Sequence, residues 1–177
     1  MDKVDDNIIY REANSNDVIE IAELEARSFP EDEMASYETI VKRQHEASPF
    51  MMVIRNINDN KLVGFINGTL TTKNEIHHES MSIHEAMGAS LVIHSVTVDP
   101  VYRRKGIGSK MLLWYIDKIV TKQLEVKRIL LLTKELLVTF YKSCGFKVVK
   151  LSDVEHGVDK WYEMSMDLLV KRQNVNT

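Results

Sequence analysis

Three cations and two glycines stand together at Arg103, Arg104, Lys105, Gly106 and Gly108, with Ile107 between the glycines and Ser109 behind them. Glycine lets a backbone N–H come close to a ligand. The first turn of a helix offers N–H groups with no carbonyl to bond, at the positive end of the helix dipole. Cations just ahead of such a turn complete a cradle for an anion such as a pyrophosphate. Spacing limits which cradle this is. A P-loop needs a glycine five places before Gly108, and Arg103 stands there. A dinucleotide fingerprint needs a third glycine where Met111 stands. What remains is the pattern R-x-x-G-x-G. The alternative is a solvated basic turn, and the surrounding sequence weighs against it.

That context is a strand before the loop and a helix behind it. Residues 90–98 carry Val92, Ile93, Val96, Thr97 and Val98, a β-branched run. Asp99-Pro100 ends it, since proline has no N–H to give a sheet. Residues 107–122 have helical periodicity, with Ser109, Lys110, Asp117, Lys118 and Thr121 on the wet face. Upstream, residues 7–12 read as a strand. Asn14 or Ser15 can cap a helix running to about Arg27, with Val18, Ile21, Ala22 and Leu24 on its apolar side. Residues 36–46 read as a weaker helix, and residues 50–57 and 61–70 as a hairpin about Asn58-Asp59-Asn60. Residues 71–88 are long, polar and without a clean period, which marks a functional or mobile loop. Downstream come a buried strand at 128–133 and a short helix at 136–143 closed by Gly145. Strands at 147–151 and 160–167 follow, and then a polar tail from 170 that is expected to fray. The order β α α β β β α β α β β describes one mixed α/β domain over residues 1–177, with its core at about 8–167.

The 177 residues are 44% hydrophobic and 28% charged, with a net charge of -3, an ordinary globular balance without bulk attraction for nucleic acid. The basic loop is therefore local, as suits one small anionic ligand. A single cysteine, Cys144, excludes an internal disulfide and fits a reducing compartment. The start MDKVDDNIIY is acidic and lacks an apolar h-region, and no apolar run could span a bilayer. A cytoplasmic protein with no membrane partner is expected.

The R-x-x-G-x-G loop, in this strand and helix setting, resembles the acetyl-CoA loop of the GNAT acyltransferases. Other segments resemble the arylalkylamine (serotonin) N-acetyltransferase branch of that family: Glu23 to Phe29, Glu75 to His84, Ile93-His94-Ser95-Val96, Leu137 to Phe146 with its L-V-x-F-Y-x-x-x-G-F pattern, and Trp161 to Met164. The resemblance covers roughly residues 8–166. It implies a mixed, mostly antiparallel sheet flanked by helices, with a splayed strand pair holding acetyl-CoA as cosubstrate. Val96, Thr97 and Val98 would meet the pantetheine, the backbone of Val96 and Val98 pairing with its amides. The loop from Arg103 to Ser109 would hold the pyrophosphate. The acetyl group would pass directly to an amine in a ternary complex.

Thioester aminolysis requires the amine to lose a proton, since an alkylamine titrates near about 10. The departing thiolate also benefits from a proton donor. The resemblance assigns the donor to Tyr141. His94, in the central strand, is one candidate base; the vertebrate branch carries a second histidine where this chain has Val92. In Glu31-Asp32-Glu33, the run Phe29 to Glu33 is closer to insect-type and fungal-type enzymes, which implies Glu33 as the other candidate. Phe29, Leu132 and Trp161 match substrate-pocket positions. Lys134 replaces an acidic residue of the vertebrate branch, which argues against serotonin itself. His77, His78, Glu79 and His84 fit no zinc spacing, and no metal is expected. Cys144 has no activating partner motif.

A small amine acceptor, arylalkylamine or polyamine, is the leading reading. A protein N-terminal or lysine acetyltransferase is a second. A non-catalytic acetyl-CoA sensor is a third, opposed by the retention of Tyr141 and His94. The sequence leaves monomer and homodimer open. Residues 1–10 lack the basic phosphorylation pattern by which vertebrate forms recruit an adaptor, so no such partner is expected.

Overall fold

The computed structural model describes residues 7–154 and 157–175. The first six residues and the last two of the expected tail lie outside them. Seven strands form one sheet: β1 (Ile8–Glu12), β2 (Met51–Asn56), β3 (Leu62–Thr71), β4 (Ser90–Val98), β5 (Arg128–Lys134), β6 (Lys147–Leu151) and β7 (Trp161–Asp167). Their order is β1-β2-β3-β4-β5-β7-β6. Among the described residues only β4 and β5 run parallel, joined by α3 (Ile107–Lys122). The other helices are α1 (Val18–Ala26), α2 (Tyr37–Glu46), α4 (Glu135–Ser143) and α5 (Leu168–Val175).

Both faces of the sheet are covered, so β2 and β3 are buried almost throughout, the polar Arg55, Asn67, Thr69 and Thr71 included. Their alternate residues part to opposite sides. Met52, Ile54 and Ile66 pack with Met111, Leu112 and Ile116 of α3, and Tyr141 of α4 belongs to the same cluster. Met51, Val53 and Phe65 pack with Ile21 and Leu24 of α1 and Ile40 of α2. Fully burying one such side chain stabilises by about 1.5–3 kcal/mol, which fixes both helical layers. Gly64 lets β3 and β4 approach closely, because a Cβ there would stand 2.6 Å from the Thr97 carbonyl oxygen.

Ion pairs set the pose of α1. Asn14 caps the 3₁₀ turn Ser15–Asp17 that leads into it, and Asp17 returns a bond to the Asn14 N–H. The buried Asp17 carboxylate also accepts from Arg11 of β1 at 2.7 Å and from Arg55 of β2 at 2.7 Å. At its far end, Arg27 pairs with Asp99 beyond β4 at 2.6 Å.

Two features were not expected. The polar tail continues as α5 instead of fraying, because Arg172 donates to the carbonyls of Val120, Gln123 and Val126 at the end of α3. The polar segment at 72–89 is pinned. The Leu70 N–H donates to His84 Nδ1, the Ile76 N–H donates to the buried Glu163 carboxylate, and Arg43 donates to the Met81 carbonyl. Among the described residues no helix is long and apolar enough to cross a membrane.

Candidate active site

β4 pairs with β5 only from Ser90↔Arg128 to Ile93↔Leu131, although both strands run on. Beyond Ile93 they splay, and the edge of β4 facing β5 is unpaired there. The split begins at a bulge. On the β3 side Asn67 faces Ser95 and Gly68 faces Ile93, so His94 is the extra residue. A bulge shifts the alternation of a strand by one. Leu91 and Ile93 before it, and Val96 and Val98 after it, pack toward α3, whereas Ser95 turns toward α1. Thr97 is buried and its main chain pairs with Phe65 of β3, so the backbone presented at the gap is that of Val96 and Val98.

The basic loop lies at the far end of the gap. Gly106 caps α3 in the left-handed conformation at φ 77°, and a Cβ there would meet nothing within 4 Å. The N–H groups of Ile107, Gly108 and Ser109 precede the first intrahelical bond, from the Lys110 N–H to the Gly106 carbonyl. Gly108 sits against Val98 and Phe140, the walls of the split. Open space, aligned donors and flanking exposed Arg104 and Lys105 fit a pyrophosphate. Ile107 contributes only its N–H, because its side chain is in the core. Arg103 folds back, donating to the Val98 carbonyl at 2.8 Å and to Ser28.

Between the splayed strands lies a cavity of about 220 Å³. Its walls include Phe29, Leu132, Trp161, Tyr141, His94 and Glu33, so the six candidate substrate and catalytic positions converge on one space. Tyr141 approaches from the α4 side, held edge-on between Phe140 and Phe146. Burial pushes its phenol above the ordinary value, with Cys144 adding to the effect, so it keeps its proton at neutral pH. Burial also pushes the Cys144 thiol up, the opposite of an activated nucleophile. His94 Nε2 lies 2.7 Å from Thr69 Oγ1.

Glu33 is buried but not alone. Lys134 Nζ lies 2.7 Å from its Oε1, 2.7 Å from Asp159 and over the Trp161 ring at 5.3 Å. Gly157, at φ 68°, packs directly on the Glu33 side chain.

A second cavity of about 450 Å³ adjoins on the α2 side, and Glu25, Glu33, Met81 and His94 line both. Glu25 was not among the expected site residues. It sits on the α1 stripe with Val18, Ile21 and Leu24, and a carboxylate in an apolar stripe was the signal that could have found it. Among the described residues no group of three or more histidines, cysteines or carboxylates gathers as a metal site.

Residues 18–146 match the family model described as the Acetyltransferase (GNAT) family. The chain belongs to the GNAT acetyltransferase family. This GNAT chain is 32% identical over 110 residues to the serotonin N-acetyltransferase of Mesocricetus auratus, a match covering 62% of this chain and 53% of that one. It thus spans about half the length of that curated relative. In fold the GNAT domain is similar to the loading GNATL domain of CurA from Lyngbya majuscula, with a TM-score of 0.81 at 16% identity over 92% of this chain and 98% of that one. It is also similar to Arabidopsis thaliana Naa50 in complex with the bisubstrate analogue CoA-Ac-MVNAL, with a TM-score of 0.69 at 18% identity over 91% and 99%.

Proposed function

We propose that this protein transfers the acetyl group of acetyl-CoA to a small primary amine, an arylalkylamine or a polyamine, in a ternary complex. The observation that carries the reading is the cavity at the β4–β5 split, where aromatic walls, a protonated phenol and carboxylates meet. The pyrophosphate would rest on the N–H groups of residues 104–109, and the pantetheine would run along the open edge of Val96, Thr97 and Val98. That places the thioester beside Tyr141, which gives its proton to the departing thiolate. The amine enters between Phe29, Leu132 and Trp161, with its nitrogen toward the polar wall that His94 and Glu33 share. Glu33 attracts the ammonium in competition with Lys134. His94 orders the proton path along that wall with Thr69. A cytoplasmic setting suits this chemistry and the free cysteine.

The volume of about 220 Å³ suits a small molecule better than a peptide. A CoA-release assay with tryptamine, phenylethylamine, spermine and a peptide with a free N-terminus tests this directly. Release driven by one of the three small amines is expected. Release only with the peptide would replace the reading with a protein acetyltransferase, and acetyl-CoA binding without release would replace it with a sensor.

A further inference from the structure

Three acid–base groups line both cavities, and they differ in what already holds them. Glu33 faces an ammonium at 2.7 Å, and His94 Nε2 faces Thr69 at 2.7 Å. Among the described residues Glu25 forms no ion pair, and the charge of Arg43 acts on it without a direct bond. Its side chain is 2% exposed. Oε1 accepts the Ala35 N–H at 3.0 Å and the Ser95 hydroxyl at 3.3 Å. Oε2 is buried and, among the described residues, accepts no hydrogen bond. A buried carboxylate oxygen without a donor is costly. It is retained in native sites that use it.

Resting on the acetyl-transfer reading above, we infer that Glu25 is the group that takes the proton from the acceptor amine, with the polar cavity beside α2 as the route by which that proton leaves. The proton balance is complete. One ammonium N–H bond breaks and its proton goes to Glu25 Oε2, directly or through one water. The freed lone pair forms the bond from nitrogen to the acetyl carbon. The C–S bond breaks, and its electron pair leaves on sulfur. Tyr141 protonates the sulfur, and the second proton of the nitrogen replaces the one Tyr141 gave. Glu25 then releases its proton through the polar cavity. The sum is ammonium plus thioester giving amide, thiol and one proton.

The surroundings suit this task. Burial pushes the Glu25 carboxyl above the ordinary range, while the Ala35 N–H, the Ser95 hydroxyl and the charge on Arg43 hold it down. A carboxylate raised toward neutrality is a better proton acceptor at the working pH. The ionisable groups facing Glu25 are Arg43 from α2, His94 from β4 and Glu33 from the turn after α1. Farther round the polar cavity stand His84, Lys42 and Glu46. Arg43 is itself tied to Asn67 and to the Met81 carbonyl, and burial pushes it down only to about 10, with Glu25 raising it, so it stays charged.

The test pairs two amines of nearly one shape. Phenylethylamine is an ammonium at neutral pH; β,β-difluorophenylethylamine is largely neutral because fluorine withdraws charge from its nitrogen. Glu25→Gln should lower kcat/KM for phenylethylamine by about 10²–10⁴ relative to wild type, and the deficit should shrink to about tenfold or less with the difluoro amine. An equal deficit with both amines, or none with either, would overturn the assignment. If Glu25→Gln does not fold, Ser95→Ala decides. Losing a hydrogen bond to the charged form raises a carboxyl further, so the acidic limb of kcat/KM should move to higher pH. A limb that stays in place would overturn the assignment. Wild-type acetylation with either negative result rejects the role of Glu25 alone. A wild type that acetylates no amine rejects the enzymatic reading as well.

Discussion

Lys134 Nζ stands 2.7 Å from Glu33 Oε1, a protein cation placed where a substrate cation would be drawn. Asp159 closes on the same nitrogen at 2.7 Å, and Trp161 lies beneath it. The free protein therefore satisfies Glu33 internally, and on the proposed reading an incoming ammonium would compete with Lys134 for it.

That competition predicts the effect of Lys134→Met. The substrate ammonium becomes the natural partner of Glu33. The KM for phenylethylamine should fall roughly fivefold, equivalent to about 1 kcal/mol for a partly exposed pair. Thermal stability of the free protein should drop, because Glu33 is left buried without its cation. A KM that rises or stays constant, measured by initial rates, would show that Glu33 does not attract the amine.

Acid stability should hinge on Asp17. Burial works against its charge, but bonds from Arg11, the Asn14 N–H and Arg55 outweigh that and hold the carboxyl at about 2. The unfolded value is about 3.9. The contribution is complete above pH 4 and is lost as pH falls through about 2. Asp17→Asn should cost about 1–3 kcal/mol at neutral pH, because Arg55 loses its buried partner and keeps the half-exposed Glu20 at 3.0 Å. It should also flatten the fall in stability between pH 4 and 2. Urea unfolding of both proteins across that range reads both effects.

Much of this was legible in the residues. Arg103 to Ser109 could be read because an anion cradle needs glycine and cations at fixed spacing, and the flanking strand and helix have clear periods. Tyr141 and His94 entered through family resemblance, and no periodicity could have singled them out. Other features depend on distant partners. The bulge at His94 arises from pairing with β3. α5 is secured by Arg172 reaching the carbonyls of α3 and the residues just beyond it. Glu25 becomes distinctive only when Ser95, Ala35 and two cavities surround it. Locally it is one acid among several in a helix.

Gly106→Val tests the cradle. At φ 77° an L side chain costs about 1–2 kcal/mol, and a branched one would also occupy the open space above the helix mouth. Calorimetry should show the Kd for CoA raised by roughly tenfold or more. Unchanged affinity in a folded variant would remove the pyrophosphate from this loop.

Tyr141→Phe gives the most direct measurement of acetyl transfer at the β4–β5 split. On the proposed reading the phenol would keep its proton until the thiolate departs, and phenylalanine keeps the ring between Phe140 and Phe146. With acetyl-CoA and the best amine of the panel, both saturating, kcat should fall by about 10²–10⁴ while the Kd for acetyl-CoA stays within about twofold of wild type. Near-normal turnover by the variant would contradict the assignment of Tyr141 and of the cavity it lines as the place of reaction.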